Sequence, residues 1–268
     1  MIGSIIGDIV GSIYEWRNCK SKDFELFDSL GCYTDDTVMT IATADWLLNG
    51  GDVATYYGKW GNAYPDAGYG GSFREWLAEM KYKGSALSYN SCGNGSAMRV
   101  GPVGWAFSTE GETLNAAKIS AMCTHDHPEG IKGAQAIAFC IFMARHHESK
   151  DIMRSTIEKV FAYNLDFTID EIRPEYGWDS RYGNGVLCQA SVPQAIVAFL
   201  DGICFEDCIR NAISIGGDSD TIGCMTGSIA EAYYGVPDEI RNKALEYLPK
   251  AMIKVIDDFE SKIYLLNK

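Results

Sequence analysis

Gly7-Asp8-Ile9-Val10-Gly11-Ser12-Ile13-Tyr14-Glu15, near the start of the chain, is echoed near its end by Gly223-Cys224-Met225-Thr226-Gly227-Ser228-Ile229-Ala230-Glu231. Both stretches set apolar residues at helical spacing among glycines four apart, and glycines four apart share one helix face. Glycine costs a helix about 1 kcal/mol relative to alanine. A stripe of them therefore points to another backbone approaching closely. In the first stretch the stripe runs Gly3, Gly7, Gly11 and continues to Glu15. The spacing predicts a helix over 2–15 with a carboxylate carried toward a buried seam. Tight packing explains the glycines but not the acid that continues them.

Working outward, the same period recurs over 36–48, which stops at Gly50-Gly51, and over 113–123, 129–147, 151–163, 191–201, 205–214, 220–234, 238–247 and 249–265. A glycine pair is a good helix stop. Alternating runs of strand length are scarce. Loops are expected at 61–72, 90–104 and 171–187. No low-complexity linker and no fixed repeat divides the chain. The expectation is an all-α fold, a single compact multi-helical domain over 1–268.

The 268 residues are 47% hydrophobic and 22% charged, ordinary for a globular protein. The net charge of −13 opposes nucleic acid and anionic membranes. Nine cysteines, an odd number without a Cys-x-x-Cys pair, read as free thiols in a reducing compartment. No stretch is long and apolar enough to span a membrane. Asp8 interrupts the apolar start, so neither a signal peptide nor an anchor is expected, and the expected location is cytoplasmic.

Two acidic clusters begin helices: Thr34-Asp35-Asp36-Thr37 and Asp218-Ser219-Asp220-Thr221. Either can be read as a helix cap with acids in the first turn. Both, however, lead into strongly apolar helices that must be buried. Carboxylates converging on such a seam repel one another unless a cation lies between them. With oxygen donors and no Cys or His in the clusters, the ion would be hard, Mg²⁺ or Mn²⁺. Two of them would make a binuclear site.

The loop Ser91-Cys92-Gly93-Asn94-Gly95-Ser96-Ala97-Met98-Arg99 offers backbone N–H groups, a hydroxyl and a guanidinium suited to phosphate, or it is a plain turn. It is not a Walker A loop, because no Lys-Ser/Thr follows. In Thr124-His125-Asp126-His127-Pro128-Glu129 the histidines lack zinc spacing. Asp126 and His127 suit a helix cap, and His125 a contact to a ligand. No nucleophile elbow and no Cys-His pattern stands out.

Taken in order, Gly7 to Glu15, Tyr33 to Thr37, Gly93 to Val100, Thr124 to Gly130 and Gly216 to Gly223 resemble the ADP-ribosylglycohydrolase family over nearly the whole chain. The resemblance implies an all-α fold with a binuclear Mg²⁺ or Mn²⁺ site. It implies metal ligands at Thr34, Asp35, Asp36, Asp218, Asp220 and Thr221. Catalytic acids would be Glu15, Asp35 and Asp220, with Asp66 near the leaving group. Gly93, Asn94, Gly95, Ser96, Met98, Arg99 and His125 would hold ADP-ribose. The implied reaction is hydrolysis at C1 of the distal ribose, releasing ADP-ribose from an arginine or serine side chain or a small molecule. A non-catalytic ADP-ribose binder and a Mg²⁺-dependent phosphohydrolase using Asp35 are the alternatives. The chain departs from the family at Glu231, expected to be solvent-facing or salt-bridged, and at 171–187, which would shape the substrate mouth.

Overall fold

The computed structural model describes residues 1–181 and 183–264, so Tyr182 and the end of the helix expected over 249–265 lie outside the described residues. The helices are α1 (Ile2–Gly11), α2 (Asp35–Asn49), α3 (Val53–Ala63), α4 (Gly71–Lys83), the single turns α5 (Gly95–Met98) and α6 (Val103–Ala106), α7 (Glu110–Met122) and α8 (Pro128–Arg145). They continue with α9 (Lys150–Phe161), α10 (Ile169–Ile172), α11 (Cys188–Asp201), α12 (Phe205–Ser214), α13 (Ser219–Tyr234), α14 (Asp238–Leu245) and α15 (Lys250–Phe259). Among the described residues the only sheet is a two-stranded hairpin, β1 (Asp179–Ser180) against β2 (Gly183–Asn184). The fold is all-α, and the buried apolar residues form one cluster from Met1 to Phe259.

The two echoed stretches are partners. α1 and α13 run antiparallel with glycine against glycine. A Cβ added at Gly3 would lie 2.2 Å from the Gly227 carbonyl oxygen, and one at Gly7 would lie 2.0 Å from that of Gly223. One at Gly11 would lie 2.4 Å from the Cα of Asp220. All three are impossible for a real side chain, so the glycine stripe is the condition for this approach. α1 ends at Gly11, earlier than its periodicity predicts. The Ser12 hydroxyl bonds back to the Ile9 carbonyl, and the Asn18 amide donates to the Tyr14 and Glu15 carbonyls, closing a turn over 12–18. Glu15 thus arrives on a turn.

α3 and α4 were not expected; the first overlaps the stretch read as a loop at 61–72. The two glycines of α3 are packing positions against α4. A Cβ at Gly61 would lie 2.4 Å from the Leu77 side chain, and one at Gly58 3.1 Å from Met80. Glu231, at the far end of the α1–α13 seam, is buried rather than solvent-facing. Its carboxylate pairs with the Met1 amino group and accepts from the Gly3 N–H at 2.8 Å.

Candidate functional site

The seam delivers acids from both helices to one place. Asp8, fully buried on α1, accepts from the Thr34 N–H at 2.9 Å and the Thr34 hydroxyl at 2.7 Å. It also accepts from the Thr37 N–H at 3.0 Å and from the Thr37 hydroxyl. Asp8 therefore fastens the first turn of α2 to α1. Asp36, buried in that turn, accepts from the Thr221 hydroxyl of α13 at 3.2 Å, while its Oδ1 has no hydrogen-bond partner. Carboxylate oxygens of Asp8, Asp36 and Asp220 all lie within 4.8 Å of one another, and so do those of Glu15, Asp218 and Asp220. Asp220 belongs to both triads.

The capping alternative separates here. Thr34 does cap α2, accepting from the Asp36 N–H at 3.3 Å. Asp218 makes no cap bond at α13 and instead accepts from the Asn94 amide at 2.7 Å.

Burial pushes the carboxyls of Asp8, Asp36, Asp218 and Asp220 upward, and neighbouring carboxylates push Asp36 and Asp220 further. Asp35 stands at the mouth beside Gly68, outside both triads; burial and then the Asp8 and Asp218 charges raise it to about 8. Glu15, half-buried, is raised to about 7 by burial and then by Asp218. The neighbours that act on these acids are other carboxylates and hydrogen-bond donors. Such a cluster repels itself unless protonated or filled by cations. An unpartnered buried oxygen on Asp36, all-oxygen donors and a shared Asp220 fit hard divalent ions. Thr34 and Thr221 stand beside these acids with hydroxyl oxygens available.

The glycine loop meets the acid cluster through Asn94, whose amide donates to Asp218. α5 starts at Gly95, and the Asn94 N–H donates to the Val186 carbonyl at 2.8 Å. His125 is buried with Nδ1 against the Thr124 hydroxyl at 2.8 Å and Nε2 facing Gly95 and Gly93. Burial, then the Arg99 charge, holds it well below the ordinary histidine range, so the imidazole is neutral. The Ser96 hydroxyl is spent on the Gly130 carbonyl at 2.7 Å, tying the loop to α8. Met98 is buried, and its carbonyl accepts from the Cys224 thiol. As expected His127 caps α8, but Asp126 instead holds the Ser88 hydroxyl and the Asn90 N–H.

Arg99 is not where its sequence reading puts it. Only 1% exposed, it bonds the Ser120 carbonyl at 3.0 Å and the Thr124 hydroxyl at 2.7 Å, with its guanidinium 4.1 Å from the centre of the Tyr57 ring. It braces the histidine segment from inside the core. Asp66 is exposed in the loop leading to Gly68 and Asp35. The residue missed was Asp8, whose only sequence signal was a carboxylate inside an otherwise apolar glycine-striped helix.

Helices joined by a bare-backbone seam, with an acidic centre at one end and a glycine loop facing it, define a helical hydrolase with a cation-ready pocket. The chain belongs to the ADP-ribosylglycohydrolase family, whose sequence model matches residues 1–267. It is therefore a glycosyl hydrolase acting on ADP-ribose linkages. ADP-ribosylhydrolase ARH3 of Bos taurus is 28% identical over 88% of this chain and 84% of its own length. The Mus musculus ARH3 is 27% identical over 97% and 87%. ADP-ribosyl-[dinitrogen reductase] glycohydrolase of Rhodospirillum rubrum is 26% identical over 78% and 71%. Among solved structures, an ADP-ribosylglycohydrolase-related protein complex superposes with a TM-score of 0.72 at 23% identity, covering 100% of this chain and 96% of that one, a match of fold. No helix among the described residues is long and apolar enough to cross a membrane.

Proposed function

We propose that the protein hydrolyses the glycosidic bond at C1 of the distal ribose of ADP-ribose, freeing a modified side chain, arginine or serine, or a small molecule. The observation that carries this reading is the double triad of carboxylates sharing Asp220, linked through Asn94 to the glycine loop. Two Mg²⁺ or Mn²⁺ ions would be held by Asp36, Asp218, Asp220 and Glu15, with Asp35 and the hydroxyls of Thr34 and Thr221 alongside. Asp8 would act as their innermost acid or as the anchor of α2. Bound there, the cations would supply Lewis acidity and neutralise the cluster.

The chain's own groups divide the remaining work. In the Gly93–Ser96 loop the Gly93 N–H is taken by the Ser91 hydroxyl and the Asn94 N–H by the Val186 carbonyl, so the N–H groups of Gly95 and Ser96, at the start of α5, would meet a diphosphate. His125 presents a neutral nitrogen there. Asn94 ties that loop to Asp218, so ligand binding and metal binding share one hydrogen bond. Glu15, at the edge of the cluster, would take the proton from the attacking water and pass it to the leaving atom. In the balanced reaction the water oxygen ends on C1, one proton ends on the departing nitrogen or oxygen, and the C1 bond to that atom breaks. The transition state has oxocarbenium character. Asp66, exposed beside the mouth, would meet the departing group. A cytoplasmic location suits the free thiols.

Titration calorimetry with ADP-ribose, paired with turnover assays on arginine- and serine-linked ADP-ribosyl peptides under Mg²⁺ and Mn²⁺, tests the reading. Turnover abolished by EDTA and by Asp220→Asn is the expected result. Tight ADP-ribose binding with no turnover on any linkage would make the protein a binder instead.

A further inference from the structure

The turn that brings in Glu15 also carries Trp16, which is 79% exposed. An exposed aromatic is unremarkable when it stands alone. Trp16 does not. Its ring stacks on Trp178, with centroids 5.3 Å apart and planes 20° apart. The Trp178 indole N–H donates to the backbone carbonyl of Glu15 at 3.1 Å. The pair is therefore bolted to the residue that stands beside the acid cluster.

The segment bearing Trp178 is itself held on both sides of the pocket. Tyr176 packs against Gly217, just before Asp218, and its carbonyl accepts from Lys20 at 2.5 Å. The Gly185 N–H donates to the Trp178 carbonyl at 2.8 Å, and the Val186 carbonyl takes the Asn94 N–H. Residues 176–181 and 183–186 thus form a strap from the Glu15 turn to the glycine loop, closed on itself by the β1–β2 pair. Such a wall, fixed at both ends, holds an aromatic face in a defined place at the mouth.

We propose that Trp16 and Trp178 form the subsite for the leaving group, and that this subsite selects a planar cation, the guanidinium of an ADP-ribosylated arginine. The inference rests on the hydrolase reading above. Six carboxylates against two divalent cations leave the loaded pocket net negative, and the diphosphate of the substrate adds to that charge. A leaving group that stays cationic is then favoured over a neutral hydroxyl. The outer face of Trp16 binds such a cation without adding charge of its own, and guanidinium stacks flat on indole. The stack with Trp178 keeps the ring from turning, so little side-chain freedom is lost on binding.

The experiment compares wild type with Trp16→Ala, Trp16→Phe and Trp178→Phe on arginine-linked and serine-linked ADP-ribosyl peptides, with calorimetry on free ADP-ribose, which has no leaving group. In Trp16→Ala the KM for the arginine-linked peptide is expected to rise about tenfold, the size a cation–π contact supports, while kcat falls alike for both peptides because the Trp16 side chain also hydrogen-bonds the Glu15 carboxyl. Phe at 16 recovers most of the KM because it keeps a ring face, but not kcat, because it has no N–H for Glu15. Trp178→Phe, which drops the bond to Glu15, lowers kcat as well. ADP-ribose affinity stays at the wild-type value in Trp16→Ala. The inference is overturned if wild type prefers the serine-linked peptide, or if Trp16→Ala raises KM equally for both peptides, or if it weakens ADP-ribose itself. Each of these outcomes leaves the hydrolase reading standing. A wild type that turns over neither peptide removes this inference and leaves the hydrolase reading to small-molecule linkages.

Discussion

At the scale of single residues, the carboxylates divide by what surrounds them. Asp36 and Asp220 have oxygens facing one another across the α2–α13 junction, so replacing either by Asn removes a charge a cation would need. Metal affinity and turnover are expected to fall at least about 100-fold in each, read by calorimetry with Mn²⁺ and by peptide turnover. Glu15 makes a sharper case. Its carboxyl sits at about 7 through burial and the Asp218 charge. That value holds for the cluster without cations; bound cations favour the carboxylate, so the acid limb of the wild-type kcat/KM profile is expected below neutrality, and Glu15→Gln is expected to abolish that limb while lowering the plateau about 10²–10⁴-fold. An unchanged profile in the variant would remove Glu15 from proton transfer. Arg99 is the residue whose type misled. In sequence it ends a glycine loop, where a guanidinium suits phosphate, but the side chain turns inward to Ser120, Thr124 and Tyr57. Residue type and position cannot tell which way a side chain leaves the backbone. Arg99→Met is therefore expected to lower stability by about 2 kcal/mol or more, seen as a fall in Tm.

At the scale of elements, the seam between α1 and α13 does the positioning. Gly7→Ala would put a methyl 2.0 Å from the Gly223 carbonyl oxygen, so the helices must separate. Overpacking of this kind costs about 1–3 kcal/mol. Gly111→Ala, in the first turn of α7 with open space around its Cβ, is the control and is expected to leave Tm level or raise it slightly. Equal Tm values for the two variants would mean that the seam can yield. Most helices were legible because a core-facing helix repeats its apolar residues. The glycine stripe was legible for the same reason, since the only use of costly residues in register is close approach. α3 and α4 escaped because Gly58 and Gly61 look like loop punctuation until Met80 and Leu77 are seen against them. The end of α1 was misplaced because the Ser12 and Asn18 bonds that stop it are made with groups the period does not reveal.

At the scale of the whole molecule, the metal-free protein carries carboxyls whose folded values lie above their unfolded ones. Acids raised in this way contribute stability that is complete below the unfolded value, near 4, and that is lost as pH climbs through the folded values of about 7 for Glu15 and about 8 for Asp35. In EDTA, Tm is therefore expected to fall between pH 5 and pH 8. Saturating Mg²⁺ or Mn²⁺ competes with the protons, so the gain in Tm on adding metal is expected to be larger at pH 8 than at pH 5. A metal-independent Tm across that range would argue against cations in the cluster. The assembly of the site was legible in part. Two acidic helix starts could be joined by reasoning about buried charge, whereas Asp8 could not, because a lone acid in an apolar helix has no partner until the helix is placed. The stretch 171–187 was legible only as a wall of the substrate mouth, because what it holds lies in what it touches, Glu15 on one side and Asn94 on the other.

The same bare-backbone seam governs how the protein can change by descent. Where carbonyl oxygens occupy the space of side chains, no single replacement at Gly7 or Gly223 is small enough to be tried and kept. New substrates are reachable only through parts that hang from the frame: the exposed turn at Trp16, the segment from Tyr64 to Gly70, and the strap. Diversification within the lineage should then collect in those three surface segments, around a pair of helices that inheritance leaves alone.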